Sequence, residues 1–269
     1  MESNIQMSIL NHRKHIADTG VIVSPLGLGT VKIGRNTAVK YPTEFKIPDD
    51  KQVKNLLAQA WELSINLLDT APAYGNSEQR LGELLAKQTH DFIVATKVGE
   101  SFDAKTGASH YDFSPEFITA NIHQSLSNLK RDVLDIVLIH SDGNDKKIIE
   151  QGALEVLADL KQQGLIRAIG MSTKTVEGGL LALQQSDLAM VMHHLNYQQE
   201  QAVLDQAAKD NKGIFIKKAL ASGHLTPDSV QDNFDLIYKN QAVSSVIIGT
   251  INPVHLEDNV VKALKSLPL

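Results

Sequence analysis

The sequence predicts a closed (β/α)8 barrel of parallel strands, an α/β TIM barrel preceded by an N-terminal β-hairpin. Three observations carry this. Short apolar runs recur at residues 26–29, 65–68, 92–95, 134–139, 166–169, 188–192, 213–216 and 243–248, each of strand length and too short for a helix. Within each run the apolar character is continuous, as in parallel strands covered on both faces. Amphipathic stretches separate the runs at a spacing of about 25–30 residues per pair, which suits a barrel better than an open sheet.

The elements follow in order. Residues 13–16 and 20–23 flank Asp18-Thr19-Gly20 and form a hairpin, placed as a plug over the barrel floor. Gly27-Leu28-Gly29-Thr30 opens like a dinucleotide-binding fingerprint, but position 32 is Lys32 and not glycine, which counts against the rival doubly wound sheet. Residues 51–63 place Val53, Leu56, Leu57, Ala60, Trp61 and Leu63 largely on one helical face. Ser114-Pro115-Glu116 starts a helix, with serine as N-cap and proline in the first turn. Residues 175–185, 200–210 and 253–264 repeat the helical pattern. Two long loops, 31–48 and 99–113, follow strands and so border the active face.

Composition narrows the function. A length of 269 residues accommodates one barrel or two small domains, and the absence of any linker or low-complexity tract favours a single domain over 1–269. A net charge of -5 without a basic block gives no pull towards nucleic acid. With no cysteine there is no disulfide framework, thiolate zinc site, iron–sulfur cluster or cysteine nucleophile. The N-terminus lacks the charged start and cleavage site of a signal peptide, and no apolar run approaches the roughly 20 residues that span a bilayer. The expectation is a cytoplasmic protein without a membrane partner, a monomer or weak oligomer.

In a barrel the chemistry sits just past the C-terminal ends of the strands. Asp69 closes INLLD, Tyr74 follows in the turn APAYGNSE, Lys97 ends FIVATK and His140 ends DIVLIH. A phenol with a pKa of about 10 exchanges protons poorly at neutral pH, and an adjacent ammonium lowers that value. A carboxylate keeps the lysine charged and directed, and an imidazole across the pocket binds a substrate oxygen. Singly, each residue has a plainer reading: a helix cap for Asp69, rim packing for Tyr74, a solvated strand end for Lys97, a satisfied loop residue for His140. Four such groups at one end of one barrel form a set that polarises a carbonyl and hands it a proton.

These residues resemble the aldo-keto reductase family. The resemblance runs over 13–264 through VSPLGLGT, LLDTAPAYGNSEQRLGELL, FIVATKVG, LDIVLIH, GLIRAIGMST and VIIGTINPVHLEDNV. HYDFSPEFITANIHQSLSNL with LIHSDG is similar to the sugar- and pyridoxal-dehydrogenase side of that family. The resemblance implies an NAD(P)H cofactor across the barrel mouth, a small-molecule carbonyl or alcohol substrate, and a catalytic tetrad of Asp69, Tyr74, Lys97 and His140. It also implies cofactor contacts from Thr30 and Asp69, and from Ser172 and His194 at the nicotinamide amide. Gly249 and Thr250 precede a helix start suited to a phosphate, and Asn259 matches an adenine contact. His193 and His194 alternate in direction and form no chelating pair.

The sequence departs from the family pattern in places. The aromatic residue that stacks on the nicotinamide falls at Ala219, with Leu220 beside it as a substitute packing surface, and Lys217 and Lys218 are unusual there, Lys217 being counted among the cofactor contacts as a partner for the phosphates. Gly249 and His255 stand where a lysine and an arginine clamp the 2′-phosphate in NADPH-preferring members, so NAD(H) or dual use is expected. Only residues 266–269 follow the last helix, which leaves the site uncovered and suited to small or polar carbonyls. Two rival readings share the fold: a cofactor-sensing regulatory protein like the potassium-channel β subunits, and a Schiff-base aldolase on Lys97. Asp69 disfavours the aldolase by keeping that amine protonated.

Overall fold

A computed structural model describes residues 9–223 and 229–268. The chain opens with a hairpin of β1 (Lys14–His15) and β2 (Ile22–Val23), paired antiparallel. Eight strands then close a parallel barrel, each paired with its neighbours in chain order and the last with the first. They are β3 (Leu26–Gly29), β4 (Leu67–Asp69), β5 (Ile93–Val98), β8 (Leu134–His140), β9 (Ile166–Ser172), β10 (Leu188–Met192), β11 (Gly213–Lys217) and β12 (Val243–Ile248). Helices alternate with them. The helix Asp50–Glu62 starts in a capping box between Asp49 and Gln52, Ser114 caps Pro115–Leu129, and Thr175 caps Val176–Gln185.

The alternation of side chains along each strand builds two cores. Leu67, Ala95, Ile136, Leu138, Ala168, Leu188, Met190 and Phe215 fill the barrel, and Ile16, Val21 and Val23 of the N-terminal hairpin close its floor. Leu68, Val94, Val137, Ile139, Ile169, Val191 and Ile216 face outward into the helix layer. The same parity decides what reaches the mouth. Counting by twos from the barrel interior leads from Leu67 to Asp69, from Ala95 to Lys97, from Leu138 to His140 and from Phe215 to Lys217. Neighbouring registers hold these ends level: His140 pairs with Ser172, Ser172 with Met190, and Met192 with Lys217.

The structure corrects one loop. Residues 99–113 contain an antiparallel hairpin of β6 (Glu100–Asp103) and β7 (Ala108–Tyr111). Its turn is closed by Asp103, which accepts hydrogen bonds from the Lys105 and Gly107 backbone N–H groups, with Gly107 at φ 72°. The other long loop begins with a short helix, Val31–Gly34, and then runs irregularly to Asp49.

Candidate active site

Asp69 and Lys97 meet at the barrel mouth. Lys97 Nζ donates to Asp69 Oδ1 at 2.6 Å and to the Thr70 carbonyl at 2.9 Å, with both side chains almost wholly buried. Burial alone would pull the Lys97 amine down, but Asp69 and then Tyr74 outweigh it and hold the amine above its ordinary value. Behind this pair Thr30 donates to the Asp69 carbonyl and accepts from Ser77. Thr30 is fully buried and does not reach the cavity, so its side chain braces Asp69, in place of the cofactor contact expected of it.

Tyr74 stands on a turn made possible by two glycines. A Cβ on Gly34 would lie 2.2 Å from the Tyr74 carbonyl, and one on Gly75, at φ +65°, would lie 2.2 Å from the Gly34 carbonyl. Backbone packs on backbone here, and the phenol is thereby brought beside Lys97, whose Nζ lies 4.7 Å from the Tyr74 ring centre. The sequence led us to expect a phenol pKa lowered by Lys97. The structure reverses the net direction: burial raises it first, Lys97 lowers it, Asp69 raises it again, and the phenol is pushed up to about 12. At neutral pH Tyr74 therefore carries its proton.

His140 faces Tyr74 edge-on, with ring centres 6.3 Å apart. Its Nδ1 is buried 2.8 Å from Glu100 Oε2, a short but poorly aligned contact. Glu100 also accepts from Ser109 Oγ at 2.6 Å and lies opposite Tyr111 across the hairpin. Burial pushes this carboxyl up, but His140, Ser109 and Tyr111 around it outweigh burial and hold Glu100 down at about 2. For His140 the balance is the opposite: burial outweighs the carboxylate and lowers the imidazole below its ordinary value.

These groups line one cavity of about 1030 Å³. Ser172, Ala219, Leu220, Gly249, Thr250, His255 and Asn259 also line it. Asn252 caps the helix Pro253–Ser266 at the same end, and Asn259 donates its amide to the His255 carbonyl. His194 does not line it. The strand ends at Met192, and His194 turns back to pair with Tyr197, its Nδ1 accepting from the Asn196 N–H at 3.3 Å. Tyr197 and Glu200 of that segment reach the cavity in its place.

Several cavity residues were not singled out in the sequence. Lys217, by contrast, is one of the expected cofactor contacts, and it lines the cavity. Its Nζ donates to Ser172 Oγ at 2.9 Å and to the Thr173 carbonyl at 2.5 Å, and burial pulls its amine down to about 7. Glu200, pushed up by burial, accepts from the Met192 N–H. Tyr41 comes from the loop after Gly34, with Lys32 4.1 Å from its ring centre. Two buried oxygens beside this end, Thr173 Oγ1 and Glu200 Oε1, have no hydrogen-bond partner. A cavity of this size, glycine-walled at Gly29 and Gly249 and lined by Ser172, offers what an amide-bearing dinucleotide needs. Among the described residues no cluster could hold a metal ion, and no helix is long and apolar enough to cross a membrane.

The sequence profile of the aldo/keto reductase family matches residues 25–236, from the first barrel strand into the last-but-one helix. The chain belongs to the aldo/keto reductase family. It is thus an NAD(P)-dependent oxidoreductase of carbonyls and alcohols. Among curated aldo/keto reductase relatives, it is 30% identical to pyridoxine 4-dehydrogenase of Escherichia coli over 76% of this chain and 72% of that protein. It is 27% identical to D-threo-aldose 1-dehydrogenase of a Pseudomonas species over 78% of this chain and 69% of that one. A match at 29% identity to an uncharacterized oxidoreductase of Bacillus subtilis spans 48% of that protein's length. Among solved structures, a candidate aldo-keto reductase from Pseudomonas aeruginosa is 48% identical, with a TM-score of 0.88 and 97% of both chains covered.

Proposed function

We propose that this aldo/keto reductase interconverts small, polar carbonyl compounds and their alcohols, with Tyr74 exchanging the proton at the reacting oxygen. The observation that carries this reading is the phenol itself: it keeps its proton at neutral pH, sits beside the Lys97 ammonium and opens on the same cavity as His140. A bound nicotinamide would supply or accept the hydride. In the reducing direction Tyr74 donates to the carbonyl oxygen, and Lys97, held by Asp69, stabilises the phenolate left behind. In the oxidising direction the same oxygen takes the alcohol proton. Ser172, Gly249, Thr250, His255 and Asn259 would hold the cofactor, with Leu220, Tyr41 or Tyr197 as packing surface where Ala219 offers no ring.

Polar groups around the remaining space support a polar substrate: Arg35, Lys40, Ser109, Tyr111 and Lys174 all line it. A bulky apolar ketone pressed against these charged and hydroxyl groups would strip them of water without pairing them, at a cost in binding. The relatives named for pyridoxine and an aldose point the same way. A panel of short aldehydes, aldoses, pyridoxal-like rings and steroid ketones, followed by nicotinamide absorbance with NADH and NADPH, tests this. Turnover confined to the small polar members is expected. Preference for the steroid ketones would refute it.

A further inference from the structure

The hairpin of β6 and β7 does more than border the pocket. It carries a buried carboxylate against the one imidazole of the proposed tetrad, and neither the family resemblance nor the tetrad chemistry uses that carboxylate. We propose that Glu100 is a positioning residue: through Nδ1 it fixes His140 in the tautomer that turns an unprotonated Nε2 towards the pocket.

Glu100 is held from three sides. Ser109 Oγ donates to Oε1 at 2.6 Å, Tyr111 stands opposite across the hairpin, and Oε2 lies 2.8 Å from His140 Nδ1. Glu100 is only 8% exposed, so its orientation is set by these partners and not by solvent. A carboxylate is an acceptor only. An unprotonated Nδ1 would hold a negatively polarised nitrogen 2.8 Å from a carboxylate oxygen, so the Nδ1 position carries the proton even though the contact is bent. Nδ1 is shut off from solvent, while 21% of the side chain remains accessible and lines the cavity. The other ring nitrogen, Nε2, is the one left for the substrate.

The tautomer has a chemical consequence, which rests on the carbonyl–alcohol reading of the pocket. A neutral imidazole in this form accepts a hydrogen bond from an alcohol O–H and offers no donor to a carbonyl oxygen. A carbonyl finds a donor at Nε2 only when the ring is protonated, with Glu100 then facing an imidazolium. The other groups facing His140 are Tyr74 from the turn after β4, Lys97 from β5 and Lys217 from β11. The two lysines oppose protonation and Glu100 favours it. Arg35 and Tyr111 face Glu100 in turn. Reduction should therefore fall away as pH rises through the His140 titration, whereas oxidation should hold up.

The test is read first in the cofactor-free protein. Nitrogen-15 NMR of histidine-labelled protein reports which ring nitrogen carries the proton, with His140 assigned by its loss in His140→Asn. Wild type is expected to show Nδ1–H with a bare Nε2. Glu100→Gln, whose amide can donate to Nδ1, should shift His140 towards Nε2–H and lower its titration midpoint by about one pH unit, the size of effect an adjacent opposite charge exerts. The pH limb of carbonyl kcat/KM should move by the same amount. Tyr111→Phe, which keeps the carboxylate but removes a polar neighbour, should show a smaller change of the same sign and guards against misfolding of the first variant. An Nε2–H tautomer in wild type, or a tautomer and midpoint indifferent to both substitutions, would overturn the proposal. The predicted tautomer without turnover of any carbonyl would overturn only the proposed function.

Discussion

Replacing Lys97 with methionine isolates what the buried ion pair contributes. Lys97 and Asp69 are 2% and 6% exposed and 2.6 Å apart, so Lys97→Met leaves a buried carboxylate without its counter-charge. Breaking a buried pair from one side costs about 3–5 kcal/mol. Asp69 borders a cavity that water can enter, so the lower end, about 3 kcal/mol, is the better expectation. With an unfolding entropy of about 2.1 cal/mol/K per residue, that loss lowers the Tm of this chain by about 5 °C. Circular dichroism melts of Lys97→Met, Asp69→Asn and the double variant form the assay. The double variant should melt above Lys97→Met, because it buries a neutral amide in place of a lone charge. The pH dependence has a definite sign. The Lys97 amine is held above its ordinary value, so its contribution is complete below about pH 10.4 and is lost only as pH rises through the higher folded value. The gap between wild type and Lys97→Met should thus stay level from about pH 6 to 9. A Tm unchanged by Lys97→Met, or a double variant no more stable than Lys97→Met, would refute the reasoning.

Three further outcomes follow. Gly75→Ala forces a left-handed residue and a Cβ 2.2 Å from the Gly34 carbonyl, so it should displace Tyr74 and lower kcat by more than about tenfold in steady-state assays. Glu100 is held down at about 2, so its contribution to stability is present above the ordinary glutamate value and lost as pH falls towards 2; wild type should lose more stability than Glu100→Gln between about pH 5 and 3 in denaturant titrations. At the adenine end Lys262 is engaged by Asp258, and Gly249 and His255 offer no fixed cation pair, so NADH should bind at least as well as NADPH. His255→Arg should then tighten NADPH about tenfold, one charge-assisted bond, in fluorescence titrations with both cofactors.

Much of this was legible in the sequence because the barrel ties function to strand parity. Asp69, Lys97 and His140 each end an apolar run on its inward face, so the runs and their terminal polar residues point to one site. Lys217 ends GIFIK in the same way, and the same parity separates it from Lys218 beside it. Glu100 was hidden for another reason. ESFDAKTGASHYD is polar throughout, and polar alternation in a short hairpin resembles a loop until Ser109 and Tyr111 fold back onto the carboxylate. His194 and Thr30 failed for local reasons: β10 stops at Met192, and Thr30 is consumed by Ser77 and the Asp69 carbonyl. The direction of the Tyr74 shift depends on burial weighed against one ammonium, which no spacing reveals.

The most direct test of the account is single-turnover hydride transfer in Tyr74→Phe, measured from reduced nicotinamide to a small aldehyde. Cofactor affinity is titrated in parallel. If Tyr74 is the proton donor and the cofactor is held elsewhere, the transfer rate should fall by about 10²–10⁴ while cofactor affinity stays within about twofold of wild type. A variant that keeps most of its transfer rate, with cofactor bound as in wild type, would contradict the assignment of Tyr74.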